Sequence, residues 1–156
     1  MAIQIDPDGM IIHAKVRNAR SPAIERGRRT STITGIVVHQ TDAETSASSL
    51  NSYTRPKANG AHFLVDTDGT IYQTAAIYQR TNHVGPLKAR CLITGKCSPR
   101  DYPATTAQNQ ALSWHVKALE DSMQIAPSEI FRHPEASRKN TTEAQGANWN
   151  LVVPTP

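Results

Sequence analysis

Two histidines and one glutamate stand where they could share a metal ion. His39 closes the run Ile33-Thr34-Gly35-Ile36-Val37-Val38, and His133 closes Ile130-Phe131-Arg132. Such runs read as strands, the first as a strand covered on both faces, and a side chain at a strand end is aimed by the sheet rather than by a mobile loop. That suits a metal ligand. For His39 taken alone, the competing reading is a core histidine that finishes the strand with a local hydrogen bond. Glu143 follows His133 after a short loop. Two imidazoles and one carboxylate leave the fourth position of a zinc ion open, as hydrolysis requires.

The elements that must position these groups can be read in order. Residues 10–16 are expected as a short edge strand, and residues 17–31, rich in Arg and Ser and holding Pro22, as a surface loop. After the strand ending in His39, Asp42 is expected to cap a helix with Glu44 in its first turn, running through Leu50 to about Tyr53. Residues 61–66 and 70–74 form a hairpin around Thr67-Asp68-Gly69, whose Asp-Gly step supplies the positive φ of a tight turn. Residues 81–85 read as a loop and residues 86–104, with three prolines, as irregular. Thr105 or Thr106 caps a second helix, with Leu112, Val116, Leu119 and Met123 facing the core at helical spacing. His115, at the edge of that stripe, reads as a structural histidine. Residues 127–134 give a short strand ending in His133, residues 135–146 are polar, and Trp149, Leu151, Val152 and Val153 pack the C-terminus back onto the domain.

The 156 residues fit one domain, 1–156, long enough for a core, with no repeat and no linker. No apolar run approaches membrane-spanning length, and the first residues, Met1-Ala2-Ile3-Gln4-Ile5-Asp6, lack the basic start and apolar centre of a signal peptide. A net charge of +4 favours a polyanionic partner: nucleic acid, an anionic cell wall or a membrane surface. Nucleic acid is disfavoured, because no aromatic platform lies among the basic residues and no binding motif is present. Cys91 and Cys97 flank a loop containing Thr94-Gly95. A disulfide is the preferred reading; free thiols or half a zinc site are the alternatives, although zinc-knuckle spacing is absent.

The order of motifs adds a resemblance. Ile36-Val37-Val38-His39, a helix, His62-Phe63-Leu64-Val65 with Asp68-Gly69-Thr70-Ile71, then Asn82-His83-Val84-Gly85, a second helix and Arg132-His133-Pro134 together resemble the zinc-dependent N-acetylmuramoyl-L-alanine amidases, the superfamily that includes peptidoglycan-recognition proteins. The resemblance covers residues 33–149, with the hairpin as its most specific part. It implies an α/β domain with a mixed central β-sheet flanked by helices and zinc at the floor of a surface groove. His39 and His133 match the family's histidine ligands. Thr141 and Glu143 stand eight and ten residues beyond His133, the window in which the resemblance implies the third ligand, and Glu143 takes that place. Glutamate departs from the cysteine or aspartate usual there, and only Glu135 competes, standing too close to His133 for the geometry the resemblance implies. Ala61 stands where many members have tyrosine, and Thr141 where many have lysine. The general base is unassigned, Asp101 being the one acid between Gly85 and Tyr102.

The resemblance implies one zinc ion per chain and hydrolysis of the amide joining N-acetylmuramic acid to L-alanine in peptidoglycan. His83, Thr141 and Lys139 are the candidate oxyanion donors, and His62 and Asn82 the candidate substrate-binding residues. Peptidoglycan or muropeptides are the expected partner, without membrane insertion. A module that grips muropeptides without cleaving them is the alternative. Action in the bacterial periplasm or cell wall, without a signal peptide, fits release by lysis as an endolysin or export as an antibacterial effector with a cognate immunity protein. A cytoplasmic recycling amidase fits less well with a disulfide.

Overall fold

The computed structural model describes residues 3–28, 32–41, 43, 45–82, 104–136 and 144–151. They form a mixed α/β domain of nine short strands, three α-helices and two 3₁₀ turns.

The hairpin is where the turn chemistry places it. Strands β6 (Phe63–Val65) and β7 (Ile71–Gln73) pair antiparallel, with Leu64 opposite Tyr72. Gly69 holds φ 86° in the turn, a conformation that side chains resist. On the other side of β7 lies β3 (Val16–Asn18), parallel, with Val16 opposite Ile71. This three-stranded sheet has the mixed pairing that the resemblance implies.

The strand carrying His39 does not join it. β5 (Ile36–Val38) pairs in parallel with β9 (Ile130–Arg132), as a separate two-stranded sheet among the described residues. One central sheet is therefore replaced by several small ones. Residues of β5 and β6 line a cavity of about 690 Å³, and among the described residues no ladder joins the two strands. β5 is accordingly less covered than a doubly buried strand: Val38 is buried, but Val37 is 36% exposed. Gly35 is required just before β5, since a Cβ there would lie 2.8 Å from the Glu129 carbonyl oxygen.

The long helix α2 (Thr106–Met123) begins as expected. Thr105 accepts from the Gln108 N–H while the Gln108 side chain accepts from the Thr105 N–H, satisfying two donors at the helix start. Its Ala118 and Leu119 form a core with Ile3 and Ile11, against which Val16, Ile36 and Phe63 pack. Helix α1 (Ser46–Ser52) starts later than expected, capped by Thr45, whose side chain accepts from the Ser48 N–H. The expected cap, Asp42, lies outside the described residues.

Three strands escape the sequence pattern. They are β1 (Gln4–Ile5), which pairs with β2 (Ile11–Ile12), and β4 (Glu25–Arg28) and β8 (Gln79–Thr81), which pair with each other, β4 lying within the stretch 17–31 expected as a surface loop. Glu-Arg-Gly-Arg has no apolar alternation to announce a strand. Its place is fixed by tertiary contacts: Glu25 ion-pairs with Arg20 at 2.9 Å and accepts from the Ala76 N–H at 2.9 Å. Buried Gln73 ties the first hairpin to the sheet, accepting from the Ile11 N–H and donating to the Gly9 carbonyl. No described helix is long and apolar enough to cross a membrane.

Candidate metal centre

Parallel pairing of β5 with β9 sets Val38 opposite Arg132. The next residue on each strand is a histidine, so two residues far apart in sequence arrive side by side. The rings of His39 and His133 have centroids 3.9 Å apart and planes tilted by 49°. His133 is 1% exposed and opens the short helix α3 (His133–Ala136), while His39 is half-buried. Strand pairing rather than a loop sets this juxtaposition.

The residues next to the two histidines in the chain make contacts the sequence did not signal. The Arg132 guanidinium donates to the carbonyls of Ala144, at 3.2 Å, and Ala147, at 3.0 Å, and sits 4.5 Å from the centre of the Trp149 ring. Gln40 Oε1 accepts from the Ala144 N–H at 3.3 Å. Ala144 is 1% exposed with φ 59°, in the left-handed region. The carboxylate of Glu135, the nearer competitor for the third ligand place, accepts from the Arg132 N–H at 2.6 Å and so caps α3. The packing expected of Trp149 is seen in its contact with Arg132; Leu151 is 38% exposed.

The other sequence candidates are placed differently. His62 lines the same cavity as His39, and its Nε2 donates to the Gln79 carbonyl at 2.8 Å, joining β6 to β8. Asn82 is exposed, and its carbonyl accepts from the Gly60 N–H at 3.0 Å. His83, Lys139, Thr141 and Glu143, and both cysteines of the expected disulfide, lie outside the described residues. Among the described residues no group of three metal-ligating side chains comes together.

His115 is the second deeply buried histidine, 4% exposed, with its ring edge-on to Phe63 at 4.2 Å. Neither of its ring nitrogens meets a hydrogen-bond partner among the described residues. Burial pushes its pKa down from 6.5 to about 4.

Residues 29–146 match the family model described as N-acetylmuramoyl-L-alanine amidase. Among solved structures the chain is similar to the crystal structure of a selenomethionine derivative of AmpD, with 17% identity, a TM-score of 0.55, and 94% of this chain and 96% of that chain covered. That likeness speaks for the fold. No curated protein matches the chain.

Proposed function

The chain belongs to the N-acetylmuramoyl-L-alanine amidase family, and on that premise we propose that residues 1–156 form a zinc-dependent catalytic domain cleaving the amide between N-acetylmuramic acid and L-alanine of the peptidoglycan stem peptide. The observation that carries this reading is the convergence of His39 and His133 at the ends of paired strands.

The donor set fits zinc. Imidazole nitrogens are preferred zinc donors, and two of them are delivered here by the sheet. Glu143 is the proposed third ligand. Its competitor Glu135 is engaged as a backbone cap, which favours Glu143. When bound, zinc supplies a Lewis acid that brings water toward ionisation at neutral pH and polarises the scissile carbonyl. The chain's own part is to hold and orient. His39 and His133 keep their ring positions because β5 and β9 are in register. His62, lining the cavity it shares with His39, is proposed to bind substrate together with Asn82. His83, Thr141 and Lys139 are the proposed donors to the tetrahedral oxyanion. The substrate places the action in the bacterial periplasm or cell wall, whether the enzyme arrives as an endolysin or as an exported effector matched by an immunity protein.

The test is digestion of purified peptidoglycan by zinc-loaded protein. Release of stem peptides with a free L-alanine amino group is expected, and removal of zinc by a chelator abolishes it. Stoichiometric zinc and muropeptide binding without any cleavage would instead make the domain a recognition module.

A further inference from the structure

We propose that the β4–β8 ribbon and the turn beside it form a cationic docking surface for a linear phosphodiester polymer of the cell wall, a polyol phosphate chain without bases. The inference goes beyond the amidase reading and rests on it only for the setting in which such a polymer is met.

Three segments make the surface: β4, the turn after α1 at residues 53–60, and residues 79–82, which hold β8. They are tied together. β4 pairs with β8, Arg26 Nη2 donates to the Ala58 carbonyl at 2.6 Å, and the Gly60 N–H donates to the Asn82 carbonyl at 3.0 Å. In these segments stand Arg26, Arg28, Arg55, Lys57 and Arg80, with Glu25 as their one acid. The chain has 17 Lys and Arg and 13 Asp and Glu; five of the first and one of the second lie here, so the whole formal charge of +4 resides in these segments and the rest of the chain balances. The positive charge is not cancelled locally. Glu25 is already paired with Arg20 at 2.9 Å. Among the described residues Arg26 donates to carbonyls alone, those of Ala23, Glu25 and Ala58, and Arg80 donates to the Arg26 carbonyl at 3.2 Å. Carbonyl oxygens fix a guanidinium in place and leave its net charge intact. Arg28, Arg55, Lys57 and Arg80 are exposed, and Gly27, between Arg26 and Arg28, has open space where a Cβ would lie.

The chemistry of the partner follows from this layout. None of the five cations lines the 690 Å³ cavity, so the surface suits an extended chain and not a small enclosed anion. Guanidinium forks match pairs of phosphate oxygens. A chain with a charge on every unit engages several cations at once, where an isolated carboxylate engages one. Nucleic acid is the other phosphodiester polymer, but its bases need aromatic faces to stack on. The one aromatic residue in these segments, Tyr53, is 8% exposed. The surface also adjoins the candidate site: His62, which lines the cavity with His39, donates from Nε2 to the Gln79 carbonyl of β8 at 2.8 Å. A polymer held on the ribbon therefore keeps the wall beside that cavity.

The test measures binding of the full chain, without zinc, to fluorescently labelled poly(glycerol phosphate). Affinity is expected to fall steeply as sodium chloride is raised, because exposed charges are screened. The triple variant Arg28→Gln, Arg55→Gln, Lys57→Gln should lose about tenfold in affinity, the sum of three exposed charge contacts, with melting unchanged. Should it fail to fold, Arg28→Gln with Lys57→Gln carries the test. Lys15→Gln, Arg17→Gln and Lys117→Gln together remove the same charge from other elements and should lose little. No salt-dependent binding, or equal losses in the two triple variants, would overturn the surface. Poly-L-glutamate bound as tightly would overturn the phosphodiester preference, and oligo(dT) bound more tightly would make the face a nucleic-acid surface instead. With zinc loaded, the Arg28, Arg55 and Lys57 variant should digest walls bearing the polymer more slowly than the natural chain, yet cleave a soluble muropeptide at the same rate. A natural chain that binds the polymer and cleaves neither substrate would overturn the amidase reading and leave the docking surface standing.

Discussion

His133 and His115 are buried almost equally, at 1% and 4% exposure, in opposite surroundings. His133 stands where a strand ends, beside a second imidazole. His115 sits in the middle of α2, against Phe63, with no partner for either ring nitrogen among the described residues. Burial is common to both, so burial does not mark the candidate metal centre. What separates them is the backbone. A strand end delivers its side chain to a place where other segments converge, while a mid-helix residue on the inner face is delivered to the core.

The sharpest way to break this contrast is to remove one member of the pair. His39→Ala or His133→Ala should abolish peptidoglycan cleavage and stoichiometric zinc, a loss exceeding the roughly 100-fold that ligand-supporting residues command. Circular dichroism should show the fold retained, and metal analysis reads the outcome directly. Full zinc occupancy in either variant would remove that histidine from the coordination set. His115→Leu should leave zinc content unchanged, and the same loss there would erase the distinction between the two histidines.

A second contrast lies in pH. The His115 pKa is lowered from 6.5 to about 4 by desolvation. Below pH 6.5 the unfolded chain takes up a proton that the folded chain refuses. Stability should therefore fall as the pH drops from 6.5 toward 4 and level off below that window, losing about 3 kcal/mol from this group at about 1.4 kcal/mol per pH unit. Denaturant melts across the window check it: His115→Leu should flatten the slope, and an unchanged slope would assign the acid sensitivity to other groups.

The smallest effects concern the caps of the two regions. Thr105→Ala removes the capping box of α2, and Glu135→Ala removes the carboxylate that caps α3. Each should cost about 1 kcal/mol by chemical denaturation. Neither should lower zinc affinity much; a large loss in Glu135→Ala would exchange the roles assigned to Glu135 and Glu143.

Local chemistry was legible where it decides structure by itself. The Asp-Gly turn specified the hairpin, Thr105 the start of α2, and the apolar runs the strands ending in His39 and His133. These are short-range signals: a positive φ, a cap, a run of β-branched side chains. The same alphabet misled where a long-range partner intervenes. Glu25–Arg28 reads as a polar loop and becomes a strand because β8 and the Arg20–Glu25–Ala76 contacts hold it. Asp42 looks like a cap, yet α1 opens at Thr45, whose side chain supplies the bond to Ser48. The sequence by itself determined that two histidines end two strands. Only the tertiary structure decided that those strands are neighbours, in parallel and in register, and that Gln40 and Arg132 meet over Ala144. The physical reason is that a side chain's type and local conformation are set by its neighbours in the chain. Convergence of segments so far apart depends on which strands find each other, and that pairing is settled by the packing of the whole domain.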